Sequence, residues 1–442
     1  MQYKIILFIN TIILLTTQII FPQTQNSSDS LLENATLQNC VNYALVHQPI
    51  VQQSLVNEKI IDQEISGKIA DWFPQLNFNF SLQHNYKLQT SVFQGNAVHF
   101  GVINTSTAQF YLTQTIFDRD VLLAVSSASE VREEVQQSTA STKIEVAVNV
   151  SKAFYSVLLT ENQIDIINDD ITRLEQSQLD SYNQYKAGVV DKTDYMRATV
   201  ALNNAKAEKK HDEELLKTSI ASLKELMGYP SKGELILIYN KDSMENDTAL
   251  DTTQTVNYDN RIEYKLLQTQ KNLQIANLHY YEWSFIPTFS LFGAYNFNYL
   301  NDEFSKLYNQ NYPSSYVGLQ ISLPIFEGGK RIHEIEQADL EVSQYDFEVE
   351  SLKNSINSEY TKALADYKSS LVNYLTQKEN LKLAEDVYKT IQLQYKSGVK
   401  SYLDVITSET DLRETQINYI DALYEVLSSK IDVQKALGTI EY

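Results

Sequence analysis

The sequence predicts an α+β membrane protein built from long antiparallel coiled-coil helices and two β-hairpins. Three observations carry that prediction. Two long stretches, ending at Gly188 and Gly398, contain neither glycine nor proline, and residues recur at heptad spacing in the first of them and in the last helix. Two other segments switch to strict two-residue alternation beside a proline, at Phe73-Pro74 and Ile286-Pro287. The whole order of segments then recurs about 210 positions later.

Composition narrows the class. Of 442 residues only 12 are Gly and 7 Pro, 29 are Tyr, and the formal net charge is −20. So acidic a chain is a poor ligand for nucleic acid or an anionic lipid surface. It suits a solvated surface or a pore that favours cations. Lys4 and the apolar run Ile5 to Phe21, followed by the polar stretch Gln23 to Ser30, read as a secretory signal peptide over residues 1–23, without a clear cleavage site. No later apolar run reaches the 18 residues of a membrane helix. Cys40, the only cysteine, reads as a small apolar helix residue.

A first structural repeat is expected over residues 24–228. Thr36 is the N-cap of a helix through Leu37, Val41 and Leu45. The helix breaks near Pro49 and resumes to Trp72-Phe73-Pro74. Leu76, Phe78, Phe80 and Leu82 then alternate with polar residues as a half-buried strand, and a second strand runs from about Thr107 to Phe117, making a hairpin of about 76–117. From Asp118 a helix of about seventy residues runs to Gly188, with Val150, Val157, Ile164 and Ile171 every seven and Ala153, Thr160, Ile167 and Leu174 three behind. A partner helix from about Asp191 ends at Met227 before Gly228.

Residues 229–258 read as an irregular insert with one strand, Glu234 to Tyr239. The second repeat, 259–442, restarts the cycle: helix Arg261 to Trp283, a hairpin of about 288–326, a long helix to Gly398, and a last helix from about Tyr402 to Leu437. That last helix carries Leu403, Thr410, Ile417, Tyr424 and Ile431 at heptad spacing. The two helical turns, 185–194 and 395–404, are near copies. Gln184-Tyr185-Lys186-Ala187-Gly188-Val189 returns as Gln394-Tyr395-Lys396-Ser397-Gly398-Val399, followed by Asp194 and Asp404 at matching distances. Each glycine is read as the left-handed residue that closes a helix.

Four strands of about ten residues are long enough to cross a bilayer but too few to close a barrel. An open sheet edge is not tolerated in hydrocarbon, so a membrane barrel must be shared between chains, with eight strands from two or twelve from three. The spacing does not choose between them. A solid helical bundle with soluble hairpins, acting as a periplasmic coiled-coil scaffold without a pore, is the alternative.

The order of elements, with Phe73-Pro74-Gln75-Leu76, Leu323-Pro324-Ile325-Phe326-Glu327-Gly328-Gly329 and the two Tyr-Lys-x-Gly-Val turns, resembles the TolC-like outer membrane efflux protein family over nearly the whole mature chain. The resemblance implies a homotrimer in the cell outer membrane, with a shared 12-stranded β-barrel among outer membrane lipid and a periplasmic α-helical tunnel. It implies the exit duct of a tripartite efflux or type I secretion system, linked by a periplasmic adaptor to an inner membrane pump or secretion ATPase. Residues 229–258 would contribute to an equatorial belt. Gly188, Val189, Gly398 and Val399 would be the adaptor-docking tips. Asp404 would form an acidic ring at the constriction, with Thr407 where the best-known gate has a second aspartate. Lys400, Tyr395 and Asp194 would complete the gate, Asp194 near Tyr395 being one candidate pair. Whether drugs, metals or polypeptides pass is left open.

Other chemistry finds no footing. The six histidines are dispersed, Gly328-Gly329 lacks the rest of a phosphate loop, and Glu-rich stretches such as Glu334-Glu336-Glu341 read as solvated helix faces. The sequence predicts neither a cofactor nor an enzyme.

Overall fold

The structure, a computed structural model, describes Leu32 and residues 34–442. The expected signal peptide lies outside the described residues. The chain opens with helices α1 (Leu37–His47) and α2 (Pro49–Ala70). The Thr36 hydroxyl accepts from the Asn39 N–H at 3.4 Å, and Pro49 starts α2 at the position where a missing N–H costs least.

Strands β1 (Gln75–His84), β2 (Gln89–Phe93), β3 (Asn96–Phe100) and β4 (Asn104–Phe117) follow. Next come helices α3 (Arg119–Ser126), α4 (Ala128–Lys186), α5 (Lys192–Met227) and the short α6 (Lys241–Asn246). The second repeat supplies α7 (Ile262–Glu282), β5 (Thr288–Asn301), β6 (Ser314–Ser322), α8 (Lys330–Lys396) and α9 (Tyr402–Leu437). At ~1.5 Å per residue the 59-residue α4 spans about 90 Å and the 67-residue α8 about 100 Å.

The four long strands form one antiparallel sheet in the order β1-β4-β5-β6. Its register sorts the two faces by polarity. One row joins Leu76, Leu112, Gly293 and Val317, and another joins Phe78, Phe110 and Tyr295. The opposite face carries Asn79, Gln109, Asn296 and Ser314 in a single row, tied by side-chain bonds from Asn79 to Gln109 and from Asn296 to Ser314. Both outer strands, β1 and β6, lack a partner on their far side among the described residues. Every residue of β1 is exposed, Phe78 and Phe80 to 57%.

Several details differ from the sequence reading. The loop between β1 and β4 holds an extra hairpin, β2–β3, turning at Gln94 and Gly95 with φ of 49° and 85°. The helix expected to run unbroken from Asp118 is split at Ser127 into α3 and α4. The strand expected over Glu234–Tyr239 is one parallel bridge between Ala35 and Leu237, and α6 follows it. Leu403, expected in a heptad seam, is 51% exposed, because near the turn α9 buries the face carrying Tyr402, Val405 and Glu409 instead.

The core is helical. Val150, Phe154, Val157 and Leu158 of α4 pack with Tyr419, Leu423, Val426 and Leu427 of α9 in one cluster that also holds Cys40 and Val51. Burial pushes the Cys40 thiol up to about 12, so it serves as an apolar side chain. Hydroxyls hold the irregular insert against the helices: Tyr367 donates to the Thr248 carbonyl at 2.8 Å and Tyr360 to that of Gln254 at 2.5 Å.

The two repeats close alike. Gly228 and Gly438 have φ of 66° and 70°, and a Cβ on either would sit 2.7 Å from the His47 carbonyl oxygen or 2.6 Å from that of Asn260. The last helical carbonyls of each repeat are met from the same turn: Gln48 Nε2 donates to those of Glu225 and Leu226, and Arg261 Nη1 to that of Ala436. Helix ends packed this closely need their glycines twice over, for conformation and for space.

Candidate functional site: the helical tips and the seam above them

Each long helical hairpin ends in a turn of the same build. The Gly188 N–H donates to the Tyr185 carbonyl at 3.0 Å and the Val189 N–H to that of Gln184 at 2.9 Å. Gly398 and Val399 repeat the pattern on Tyr395 and Gln394, both at 2.9 Å. This is the Schellman arrangement, in which a left-handed residue lets two late carbonyls find donors. The glycines have φ of 74° and 75°, and no atom stands within 4 Å of a Cβ built on either. Val189 and Val399 are each 73% exposed. The tips are therefore rigid in backbone and bare in surroundings.

Beyond the second tip, Ser401 and Asp404 cap α9 reciprocally. The Ser401 N–H donates to Asp404 Oδ2 at 2.9 Å, and the Asp404 N–H to Ser401 Oγ at 3.3 Å. Lys400 Nζ lies 3.7 Å from the other carboxylate oxygen. The Ser401 bonds, with a smaller contribution from Lys400, hold the Asp404 carboxyl below the usual carboxylate range. Thr407, one turn on, is exposed and returns its hydroxyl to the Leu403 carbonyl. Asp191 caps α5 in the first tip, and Asp194 sits in that helix's first turn.

Tyr395 joins the two tips, although its bonded partner is Gln184, whose Oε1 accepts from the hydroxyl at 3.0 Å. The Asp194 carboxylate adds to burial in raising the Tyr395 pKa, so it is near but is not the acceptor.

Above the tips runs a seam of polar links between α4 and α9. The Ser177 and Tyr402 hydroxyls are 3.0 Å apart, and Arg173 Nε lies 3.2 Å from Glu409 Oε1. Arg173 also contacts Asp170 at 3.2 Å, while Arg413 reaches Asp170 at 3.4 Å and Glu208 of α5 at 3.3 Å. Asp170 and Glu409 are only 2% and 3% exposed. Burial, then the Asp170 charge, pushes Glu409 up to about 7 despite both arginines. Further from the tips Gln163 meets Asp421 at 2.9 Å and Lys152 meets Asp432 at 2.6 Å. A cavity of about 610 Å³ opens between the hairpins, lined by Tyr388, Tyr395, Tyr402 and Arg173. This charged seam has no signature in the sequence, since its partners are 236 residues apart.

The outer membrane efflux protein model matches residues 40–229 and 283–439, well over half the chain. The chain belongs to the outer membrane efflux protein family. The match falls in two parts, one per repeat. TolC of Vibrio cholerae is 18% identical over 337 residues, covering 76% of this chain and 77% of that protein. TolC of Escherichia coli is 21% identical over 355 residues, covering 76% and 70%. Among solved structures the CusC channel superposes with a TM-score of 0.74 at 18% identity, over 92% of this chain and 95% of that one.

Membership fixes the chain as an outer membrane transport protein with a helical tunnel and a β-barrel, and leaves no place for the soluble scaffold. No described helix is long and apolar enough to cross a membrane. Among the described residues, no group of three or more His, Cys, Asp or Glu could hold a metal ion.

Proposed function

We propose that the protein is the outer membrane exit duct of a tripartite efflux or type I secretion system. Three copies, each giving four strands, form a passive twelve-stranded channel. It is gated at its periplasmic helical end and opened when a periplasmic adaptor and an inner membrane pump or secretion ATPase bind. One observation carries this reading: a sheet with an apolar face, a polar face and two bare edges runs directly into helices about 100 Å long. The apolar rows meet lipid and the polar rows line the duct.

The bare tips Gly188-Val189 and Gly398-Val399 are the docking points for the adaptor. Asp404 and Thr407, with Tyr395, Lys400 and Asp194, form the constriction, with a single acidic ring. The seam through Arg173 and Glu409 holds the two hairpins of one copy together in the closed duct. Purified protein in planar bilayers tests the duct directly. Discrete unitary conductance steps are expected, and membranes that stay silent at high protein load overturn the reading.

A further inference from the structure

A second cavity, of about 420 Å³, lies where the sheet passes into the helices, between the start of α3, the end of α7 and the start of α8. Two of the hydrogen-bond donors in its lining are of particular interest. Arg119 is half-buried, stacks its guanidinium 4.3 Å over the Tyr280 ring, and makes no ion pair or hydrogen bond among the described residues. Ser284 Oγ is buried and has no hydrogen-bond partner among the described residues.

The other charges there are already matched. Arg331 Nε is 2.7 Å from Glu327, and Lys330 is 3.5 Å from Glu334. Among the lining residues one positive charge is left over, that of Arg119; of the carboxylates flanking it, Asp120 takes the Tyr280 hydroxyl and Asp118 caps α3. The uncapped N-terminus of the 67-residue α8 adds its dipole to the same wall, since Gly329 offers no capping side chain. A guanidinium kept in place by an aromatic ring and left without a carboxylate is built to take a planar oxyanion from outside the chain.

The face is also defined. Thr288 and Ser322, directly paired, line the cavity and fall in the sheet's polar rows with Asn296 and Ser314. Given the duct reading, on which this rests, the cavity opens toward the lumen. Tyr281, Ile286 and Pro324 complete it with apolar surface.

We propose that this cavity binds a small organic monoanion, its carboxylate held by Arg119 and the Ser284 hydroxyl and its apolar body against Tyr281, Ile286 and Pro324. It is a resting place for anionic solutes in a duct whose chain is otherwise strongly acidic.

Benzoate serves as the probe and benzyl alcohol as its uncharged counterpart, with full-length protein in detergent and saturation-transfer NMR as the readout. Benzoate should bind wild type, with benzyl alcohol a poor competitor. Arg119→Gln should weaken binding about tenfold or more, the loss expected for one charge-assisted contact. Ser284→Ala, which removes one oxygen and leaves the packing intact, should weaken it several-fold. Equal competition by benzyl alcohol, undiminished binding in Ser284→Ala, or displacement only by phospholipid and not by soluble carboxylates would each overturn the proposal. Conductance of the same wild-type preparation tests the duct separately, so failure of the anion site and failure of the duct are told apart.

Discussion

Glu409 accepts a hydrogen bond from Arg173 at 3.2 Å across the seam between two helical hairpins, and both groups are largely withdrawn from water. Burial and the neighbouring Asp170 charge leave the Glu409 carboxyl titrating near neutrality, at about 7. The seam thus holds a carboxyl that changes charge near neutral pH.

The sign follows from linkage. Glu409 is raised from its ordinary 4.5 when the seam is closed and returns toward that value when the hairpins part. Between about pH 4.5 and about 7 the closed seam holds a proton that the open one releases, so closure weakens as pH rises through that window, by up to about 3 kcal/mol. Hydrogen exchange in residues 402–413, corrected for intrinsic rates, should be faster at pH 7.5 than at pH 5.5. Glu409→Gln should remove most of the difference. A pH-independent protection pattern in the wild type contradicts this.

Removing Arg173 is more damaging than neutralising Glu409. Arg173→Ala leaves Asp170 and Glu409 buried with one guanidinium fewer, a loss of about 3–5 kcal/mol for a broken buried pair. The variant should unfold at lower denaturant and expose α4 near residue 173 to exchange. Arg173→Ala combined with Glu409→Gln should recover part of the loss. No recovery in the double variant would show that the two residues are not coupled.

Asp404 has two roles that different substitutions separate. It caps α9 through Ser401, and in the proposed gate it supplies the carboxylate of the acidic ring. Asp404→Asn keeps an acceptor for the Ser401 N–H and removes the charge. It should weaken block by multivalent cations in planar bilayers while the start of α9 stays protected from exchange. Asp404→Ala should weaken block and also fray the helix. Unchanged block in both variants removes Asp404 from the gate.

The four Schellman glycines divide into two pairs. Gly188→Ala and Gly398→Ala meet open space and carry only the cost of a left-handed alanine, about 1 kcal/mol. Gly228→Ala and Gly438→Ala carry that cost and also drive a Cβ into the backbone of His47 or Asn260. Chemical denaturation should rank the second pair as clearly more destabilised. The first pair should fold well and, if the tips dock an adaptor, lose adaptor cross-linking once the side chain is made bulky. A bulky Gly398 variant that cross-links normally would contradict the docking role.

The features legible in the sequence are those set by local periodicity. Leu76, Phe78, Phe80 and Leu82 announce a strand because they fall on one face of β1, and the tip glycines announce themselves because no other residue adopts φ near 75° as readily. The break at Ser127 was hidden because neither Ser126 nor Ser127 is a helix breaker in composition. The hairpin β2–β3 was hidden because Gln94 takes a positive φ usually left to Asn or Gly. The Arg173–Glu409 pair could not be read at all. Charged residues off a heptad stripe look solvated until folding sets two helices from different repeats side by side. Tyr395 shows the same limit, since the resemblance offers Asp194 as its partner and only packing selects Gln184.

The sharing of one barrel by three chains is the central claim, and a photo-crosslinker at Phe80 tests it most directly. Phe80 lies on β1, whose far edge has no partner among the described residues. Irradiation of the protein in outer membranes should join the strand to residues 314–322 of another copy, and the covalent ladder should stop at three. A ladder that ends at two, or adducts confined to a single chain, would contradict the trimeric duct.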